Sequence, residues 1–265
     1  MSNHKPISHG IELKKKHGQN FLKELVYIEH MIRAVKLNDQ TSVMEIGCGE
    51  GVLTRQILQG PCRQLKVFEI DYEWAEYVYD LLGSDTRLHM IHENVLDAQW
   101  DMLHDQGPWV LLANLPYHIT FPILYKVYQH KEMFREGVVM VQEEVAQKLV
   151  KTTGRDYGYT SLFFQHYFDM KLLDKVPPEA FFPSPKVFSR LLYIAPKQNV
   201  EPLVQEQEFW KFIKLCFHQP RRTLRNNLAQ THYELTRISE ETMQKRAQQL
   251  TIADLKNIWT LLLPQ

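Results

Sequence analysis

From residue 24 onward, the spacing of apolar positions switches repeatedly between two periods. The stretch LVYIEHMIRAVKL carries apolar residues three and four apart, which predicts an amphipathic helix with Val26, Met31, Ile32 and Val35 turned to the core. A polar turn, NDQTS, precedes a short apolar run over 42–47 that reads as a strand ending in glycine. The alternation continues with a helix over 51–59, a strand over 65–70, a helix over 72–82 and a strand over 88–91. Residues 109–113, WVLLA, are apolar without interruption, as expected of a strand buried on both faces. A helix over 121–129, a further buried strand over 138–141 and a helix over 143–151 follow.

Short apolar strands alternating with helices predict an α/β fold of the Rossmann-like kind, with a mostly parallel sheet covered on both faces. Ligands of such sheets bind beyond the carboxyl ends of the strands, where strand order reverses. Past 172–176 the run PPEAFFPSP is too rich in proline for a helix and predicts a structured loop. A last strand is expected over 187–194, and a linker over 195–202. The periodicity is helical from Glu206 onward. The expected division is a large α/β domain over 1–195, with a basic N-terminal tail, and a small C-terminal helical domain over 196–265.

Composition narrows the classes. No stretch approaches the ~18 uninterrupted apolar residues of a membrane span, and the N-terminus lacks the apolar centre of a secretory signal. Cys48, Cys62 and Cys216 are odd in number and show no CxxC spacing, which fits a reducing, cytoplasmic compartment. His89 and His92 stand at helical spacing, but with no cysteine or carboxylate pair nearby they read as surface histidines, and no metal is expected. The net charge is zero, yet it is unevenly spread. Lys5, Lys14, Lys15, Lys16 and Lys23 precede an acidic body, and Lys211, Lys214, Arg221, Arg222 and Arg225 follow it. Two such segments can offer phosphates a one-sided basic surface, or be no more than solvated helix faces.

The candidate chemistry sits at strand ends. Gly47, Gly49 and Gly51 alternate in EIGCGEG between the first strand and its helix, letting the backbone approach a ligand closely. The spacing is neither that of a dinucleotide loop nor that of a phosphate loop. Glu69 ends the second strand, where a carboxylate can accept both hydroxyls of a ribose; Asp71 competes for that role. Asn94, after the third strand, has a donor and an acceptor for an adenine edge, or is an ordinary turn residue. Asn114-Leu115-Pro116-Tyr117 leaves the buried fourth strand. An amide oxygen and a backbone carbonyl held extended before proline can accept the two hydrogens of an exocyclic amine, and a tyrosine offers a face for an extruded base.

With these motifs in place, the chain resembles the small-subunit ribosomal RNA adenine dimethyltransferases from about Lys14 to Leu228. Gly18–Leu22, Glu45–Thr54, Glu69, Asn114–Tyr117, Gln142–Ala146, Tyr157-Gly158, the segment Val176–Val187 and Phe217–Leu228 carry the likeness. The resemblance implies a class I methyltransferase domain over 1–195 that uses S-adenosyl-L-methionine, with a helical RNA-binding domain behind it. It implies a cofactor pocket formed by Gln19, Asn20, Leu22, Gly47, Cys48, Gly49, Gly51, Glu69, Ile70, Asn94, Val95 and Asn114. It also implies a catalytic set of Asn114, Leu115, Pro116 and Tyr117, with Phe181 stacking on the target base opposite the tyrosine. Contacts to RNA fall to Lys14, Lys15, Lys16, Arg221, Arg222 and Arg225. The implied partner is the small ribosomal subunit with its 16S rRNA, dimethylated on two adjacent adenines near the 3′ end during late assembly; nothing in the sequence requires more than a monomer. Cys48, Asn94 and Phe188 depart from the family's usual Pro, Asp and acidic residue. Methyltransferases that modify an adenine of large-subunit rRNA share this logic, and some relatives serve as non-catalytic mitochondrial transcription factors.

Overall fold

The computed structural model describes residues 6–263; Lys5, and the side chain of Lys15, lie outside the described residues. Seven strands form the main sheet: β1 (Ser42–Ile46), β2 (Gln64–Glu69), β3 (Leu88–His92), β4 (Trp109–Asn114), β5 (Phe134–Gln142), β6 (Phe168–Val176) and β7 (Ser189–Pro196). They lie in the order β3-β2-β1-β4-β5-β7-β6. The first five are mutually parallel, and β7 runs antiparallel to β5. Helices α1 (Leu25–Arg33), α2 (Val52–Gln59), α3 (Tyr72–Leu82), α4 (Thr120–Gln129) and α5 (Glu143–Val150) precede or link these strands.

Both faces of β1 are covered, which is why SVMEI and WVLLA show no polar alternation: every residue from Ser42 to Ile46 and from Trp109 to Ala113 is buried. The chain leaves β1 to build β2 and β3 on one side, then returns to add β4 on the other. The crevice at this reversal lies between the carboxyl ends of β1 and β4, where loops diverge and leave room for a ligand.

The predicted face of α1 is corrected in one position. Val26 is exposed, and Ile28 is buried instead. Positions 28, 31, 32 and 35 form one stripe at three- and four-residue spacing, and Val26 falls off it. His89 and His92 belong to strand β3, not to a helix, so their three-residue spacing puts them on opposite faces.

The chain comprises two compact units. The first contains residues up to 146 and residues 169–196; the second contains 147–168 and the residues from 197. The second unit is helical, with α6 (Tyr159–Tyr167), α7 (Glu206–Cys216), α8 (Leu224–Leu228), α9 (Glu240–Gln244) and α10 (Ile252–Leu262). Its centre is aromatic. Trp210 packs edge-on against Phe163 and Phe209, and its Nε1 donates to the Tyr167 hydroxyl at 2.7 Å, satisfying a donor that burial would otherwise strand. No helix among the described residues is long and apolar enough to cross a membrane.

At the centre of the main sheet, Gly137 in β5 faces Leu111 in β4. A Cβ there would stand 2.6 Å from the Leu111 carbonyl oxygen and 2.9 Å from its Cβ. Neither neighbour can move without breaking the ladder. Gly137→Ala is therefore expected to lower the unfolding free energy by about 1–3 kcal/mol, the usual cost of overpacking a filled core. Urea denaturation checks this, and an unchanged midpoint would show that the sheet has slack there.

Candidate functional site

A cavity of about 280 Å³ opens at the carboxyl ends of β1, β2, β3 and β4 and is bordered by the segment Lys16–Leu22. Gln19, Asn20, Leu22, Gly47, Cys48, Gly49, Glu69, Ile70, Asn94, Val95 and Asn114 through Tyr117 all line it. Gly51 and Phe181 do not. Gly51 starts α2 with φ of 75°, and a Cβ there would meet Val78 at 2.9 Å. Its missing side chain thus seats the loop against α3 and leaves ligand contact to its neighbours. Gly49 has the opposite role: with φ of 49°, a Cβ on it would sit 2.7 Å from the Phe21 ring and close the cavity wall.

Two carboxylates form the polar floor. Glu69, at the end of β2, accepts from the backbone N–H of Cys48 at 3.0 Å and of Gly49 at 3.4 Å through Oε2. Its Oε1 accepts from the Asp71 N–H at 2.9 Å. Burial pushes its carboxyl pKa up, and these bonds to the charged form pull it partly back. One lone pair on Oε1 remains for a ligand's hydroxyl, and a second hydroxyl would displace the long Gly49 contact on Oε2.

Glu45 was not among the residues expected here. It lies in β1, is fully buried, and neither carboxylate oxygen has a hydrogen-bond partner among the described residues. Burial pushes its carboxyl up to about 8; the nearby Thr54 hydroxyl opposes this and the charge of Glu69 adds to it. The signal in the sequence was a lone acid inside an otherwise apolar strand.

Asp71, the competing candidate for a ribose, is already committed. It accepts from Lys14 Nζ at 2.5 Å and from Gln19 Nε2 at 2.9 Å. Burial alone would push its carboxyl up, but these two partners outweigh it and hold the group below its ordinary range. Gln19 Oε1 in turn accepts from the Lys14 backbone N–H at 2.6 Å, so the amide is used at both ends. Lys23 pairs with Glu50, which also accepts from the Ser8 hydroxyl. Phe21 and Leu22 pair as a short antiparallel ladder with Phe181 and Phe182. The N-terminal segment is thereby strapped along the cavity. Phe181 is 4% exposed on the inner side of that ladder, while Phe182 is exposed.

The tetrapeptide leaves β4 with its polar atoms sorted. Asn114 Nδ2 donates to the Asn20 carbonyl at 3.1 Å, which orients the amide and leaves Oδ1 unengaged among the described residues. The Leu115 N–H donates to the Met140 carbonyl at 3.1 Å, and its own carbonyl precedes Pro116. Tyr117 shares a 2.6 Å hydrogen bond with Ser189, which fixes the ring; burial raises its phenol and Ser189 partly offsets this.

Asn94 lines the cavity, but its amide is occupied. Nδ2 donates to Asp97 at 2.7 Å and Oδ1 accepts from the Leu96 N–H at 3.1 Å, an Asx turn. The basic residues divide similarly. Lys14 is held by Asp71 and Glu73, and Arg225 pairs with Glu240. Arg221 and Arg222 are exposed and have no acidic partner among the described residues, and Lys16 lines the cavity. Within the same C-terminal motif Asn227 is structural: it accepts from the Gln219 N–H at 3.0 Å and donates to the Cys216 carbonyl at 2.9 Å.

Comparison with known proteins adds to this geometry. The sequence profile described as ribosomal RNA adenine dimethylase matches residues 10–262. The ribosomal RNA small subunit methyltransferase A of Prosthecochloris aestuarii is 33% identical over 256 residues, which cover 96% of this chain and 95% of that protein. Among solved structures, a dimethyladenosine transferase from Plasmodium falciparum superposes with a TM-score of 0.75 at 22% identity, over 91% of this chain and 95% of that one. The 23S rRNA methyltransferase ErmE gives 0.72 at 20% identity, over 91% and 99%. At these identities the two structures speak to the fold alone.

Glu45 makes the cofactor-free protein sensitive to pH. Between the ordinary glutamate range near ~4.3 and about 8, the folded chain holds a proton here that the unfolded chain has released. Stability contributed by this group therefore falls as pH rises through that window. Glu45→Gln removes the titration, so melting temperatures compared at about pH 5 and about pH 8 are expected to move in the variant's favour at the higher pH. A constant gap would mean that the carboxyl is ionised throughout.

Proposed function

The chain belongs to the ribosomal RNA adenine dimethylase family, and on that premise we propose that it is a methyltransferase that dimethylates N6 of two adjacent adenines near the 3′ end of 16S rRNA. Its methyl donor would be S-adenosyl-L-methionine, its partner the small ribosomal subunit late in assembly, and its place the cytoplasm, where it would act as a monomer. The observation that carries the reading is Asn114: it lines the cavity, its amide nitrogen donates to the Asn20 carbonyl, and its oxygen is left without a partner among the described residues as an acceptor.

The residues present fit the cofactor. The cavity is largely apolar, yet it contains the carboxyl of Glu45, without a hydrogen-bond partner among the described residues, and the spare lone pair of Glu69 Oε1. Glu69 would hold the ribose hydroxyls. Gly47, Cys48 and Gly49 would offer close backbone, and Gln19, Asn20 and Leu22 would border the ligand from the N-terminal segment. Ile70 and Val95 would flank an adenine ring, and Asn94 would meet its edge with the N–H and lone pair that its turn leaves over. When bound, the cofactor supplies a methyl group activated by a sulfonium.

The nucleophile, an exocyclic amine, is weak because its lone pair is delocalised into the ring. Asn114 Oδ1 and the Leu115 carbonyl would accept its two hydrogens and favour a pyramidal nitrogen, whose lone pair then points at the methyl. Tyr117 would stack on the extruded base. Its ring is held by Ser189, so the stacking face needs no reorganisation during the reaction. Phe181 as the opposite face would have to emerge from the ladder that covers it. Of the expected RNA contacts, Arg221, Arg222 and Lys16 have no acidic partner among the described residues and are left for phosphates; Lys14 and Arg225 would first have to leave their acids.

Incubation with labelled S-adenosyl-L-methionine and undermethylated small subunits, followed by nucleoside analysis, is expected to yield dimethyladenosine, with none from large-subunit rRNA. Asn114→Ala should cost about 10²–10³-fold in rate, as removal of one fixed polar contact in an active site does, while cofactor binding measured by calorimetry stays within a few fold. Tyr117→Phe should retain most activity and Tyr117→Ala little. Label confined to large-subunit rRNA, or equal rates for wild type and Asn114→Ala, would overturn the assignment.

A further inference from the structure

Away from the cavity, Asp101, His104 and His130 place one carboxylate oxygen and two imidazole nitrogens within 4.8 Å of one another. Asp101 and His104 stand three residues apart on the 3₁₀ turn Trp100–Gln106. On a 3₁₀ helix, side chains at that interval lie one directly above the other. His130 follows the last residue of α4, and its Nδ1 is 3.4 Å from Asp101 Oδ1. Distant parts of the sequence are thus folded into one small group.

The turn and the helix end are both held rigid. Trp109 Nε1 donates to the Leu103 carbonyl at 2.9 Å, the Ser42 hydroxyl to the Gln106 carbonyl at 2.6 Å, and Lys66 Nζ to Gln106 Oε1 at 2.7 Å. The His130 ring rests on the buried Trp100 at 5.6 Å, and its backbone N–H donates to the Lys126 carbonyl at 3.2 Å. His104 and Asp101 are exposed, so their rotamers can adjust.

We infer that Asp101, His104 and His130 form a binding site for a divalent transition cation, zinc foremost. Two imidazoles and one carboxylate are a donor set suited to zinc, with water completing four-coordination. Bonds of ~2.0–2.1 Å put tetrahedral ligand atoms roughly 3.3 Å apart. The Asp101–His130 pair already meets that separation, and His104 has only to swing inward from a ring distance of 6.0 Å. Burial, the largest influence, lowers the basicity of His130. Asp101 and Glu132 oppose that effect, while His104 and Lys126 reinforce it. A neutral ring keeps its lone pair available for a metal. Lys126, which donates to the Leu96 and Ala98 carbonyls, opposes a dication, so the affinity is expected to be moderate. A plain ion pair between His130 and Asp101 would need a protonated ring and would have no use for His104. Bound metal would tie the turn before β4 to the end of α4.

The test uses the full chain without a polyhistidine tag, stripped with chelator and titrated with zinc chloride by calorimetry. One equivalent is expected to bind and to raise the melting temperature by mass action. His104→Ala and Asp101→Asn, both at exposed positions, should each weaken binding tenfold or more while leaving the zinc-free melting temperature unchanged. Absence of uptake by the wild type, or uptake unaltered in both variants, would overturn the site.

Discussion

The cavity depends on how the carboxylate of Glu69 is held. One oxygen gathers two N–H groups from the loop after β1, and the other takes the N–H at the head of α3. Three orphan donors are satisfied by one acid, and two loops that would otherwise diverge are fixed at a common point. Because those donors hold the carboxylate in place, the spare lone pair of Oε1 keeps a constant direction. The positive-φ glycines let the backbone reach the acid. With Gly49 against Phe21 and Gly51 against Val78, the loop can fill neither the cavity nor the space above α3.

Around that point the N-terminal segment is held mainly by charge. Lys14 meets Asp71 and Glu73, Gln19 meets Asp71, and Lys23 meets Glu50. A basic tail that looked suited to RNA spends part of its charge inside the protein. The same is true of Arg225 with Glu240. Counting cations along a sequence therefore overstates the surface left for phosphates, because partners distant in sequence are invisible to such a count. Arg221 and Arg222 are different: they sit in a turn whose backbone is organised by Asn227, and they have no acidic partner among the described residues.

Much of the architecture was legible because it rests on local periodicity. Strands β1 and β4 show as unbroken apolar runs, and α3 falls on the predicted 72–82. The misses have physical reasons. Helix α6, YTSLFFQHY, is buried almost all round and so has no polar face to set a period. Val26 was placed on the core because it is apolar, but the stripe through Ile28 excludes it. At the site, the glycine loop, Glu69 and Asn114 stand at strand ends, where topology puts ligands. Phe181 and Asn94 depended on what their side chains meet: a ladder with Leu22 in one case, an Asx turn in the other. Glu45 was in plain view but read as part of a strand.

The bond from Asn114 Nδ2 to the Asn20 carbonyl joins residues 94 positions apart. An amide has two nearly isosteric ends, and only that distant carbonyl distinguishes them here. Which end of the amide is left as an acceptor is thus a property of the assembled protein and not of the tetrapeptide that carries it. The correct end turns outward only once the first twenty residues have docked. A chain clipped within that segment could keep its sheet while losing the fixed polarity of this amide, so the orientation of one side chain is set by docking of a distant segment.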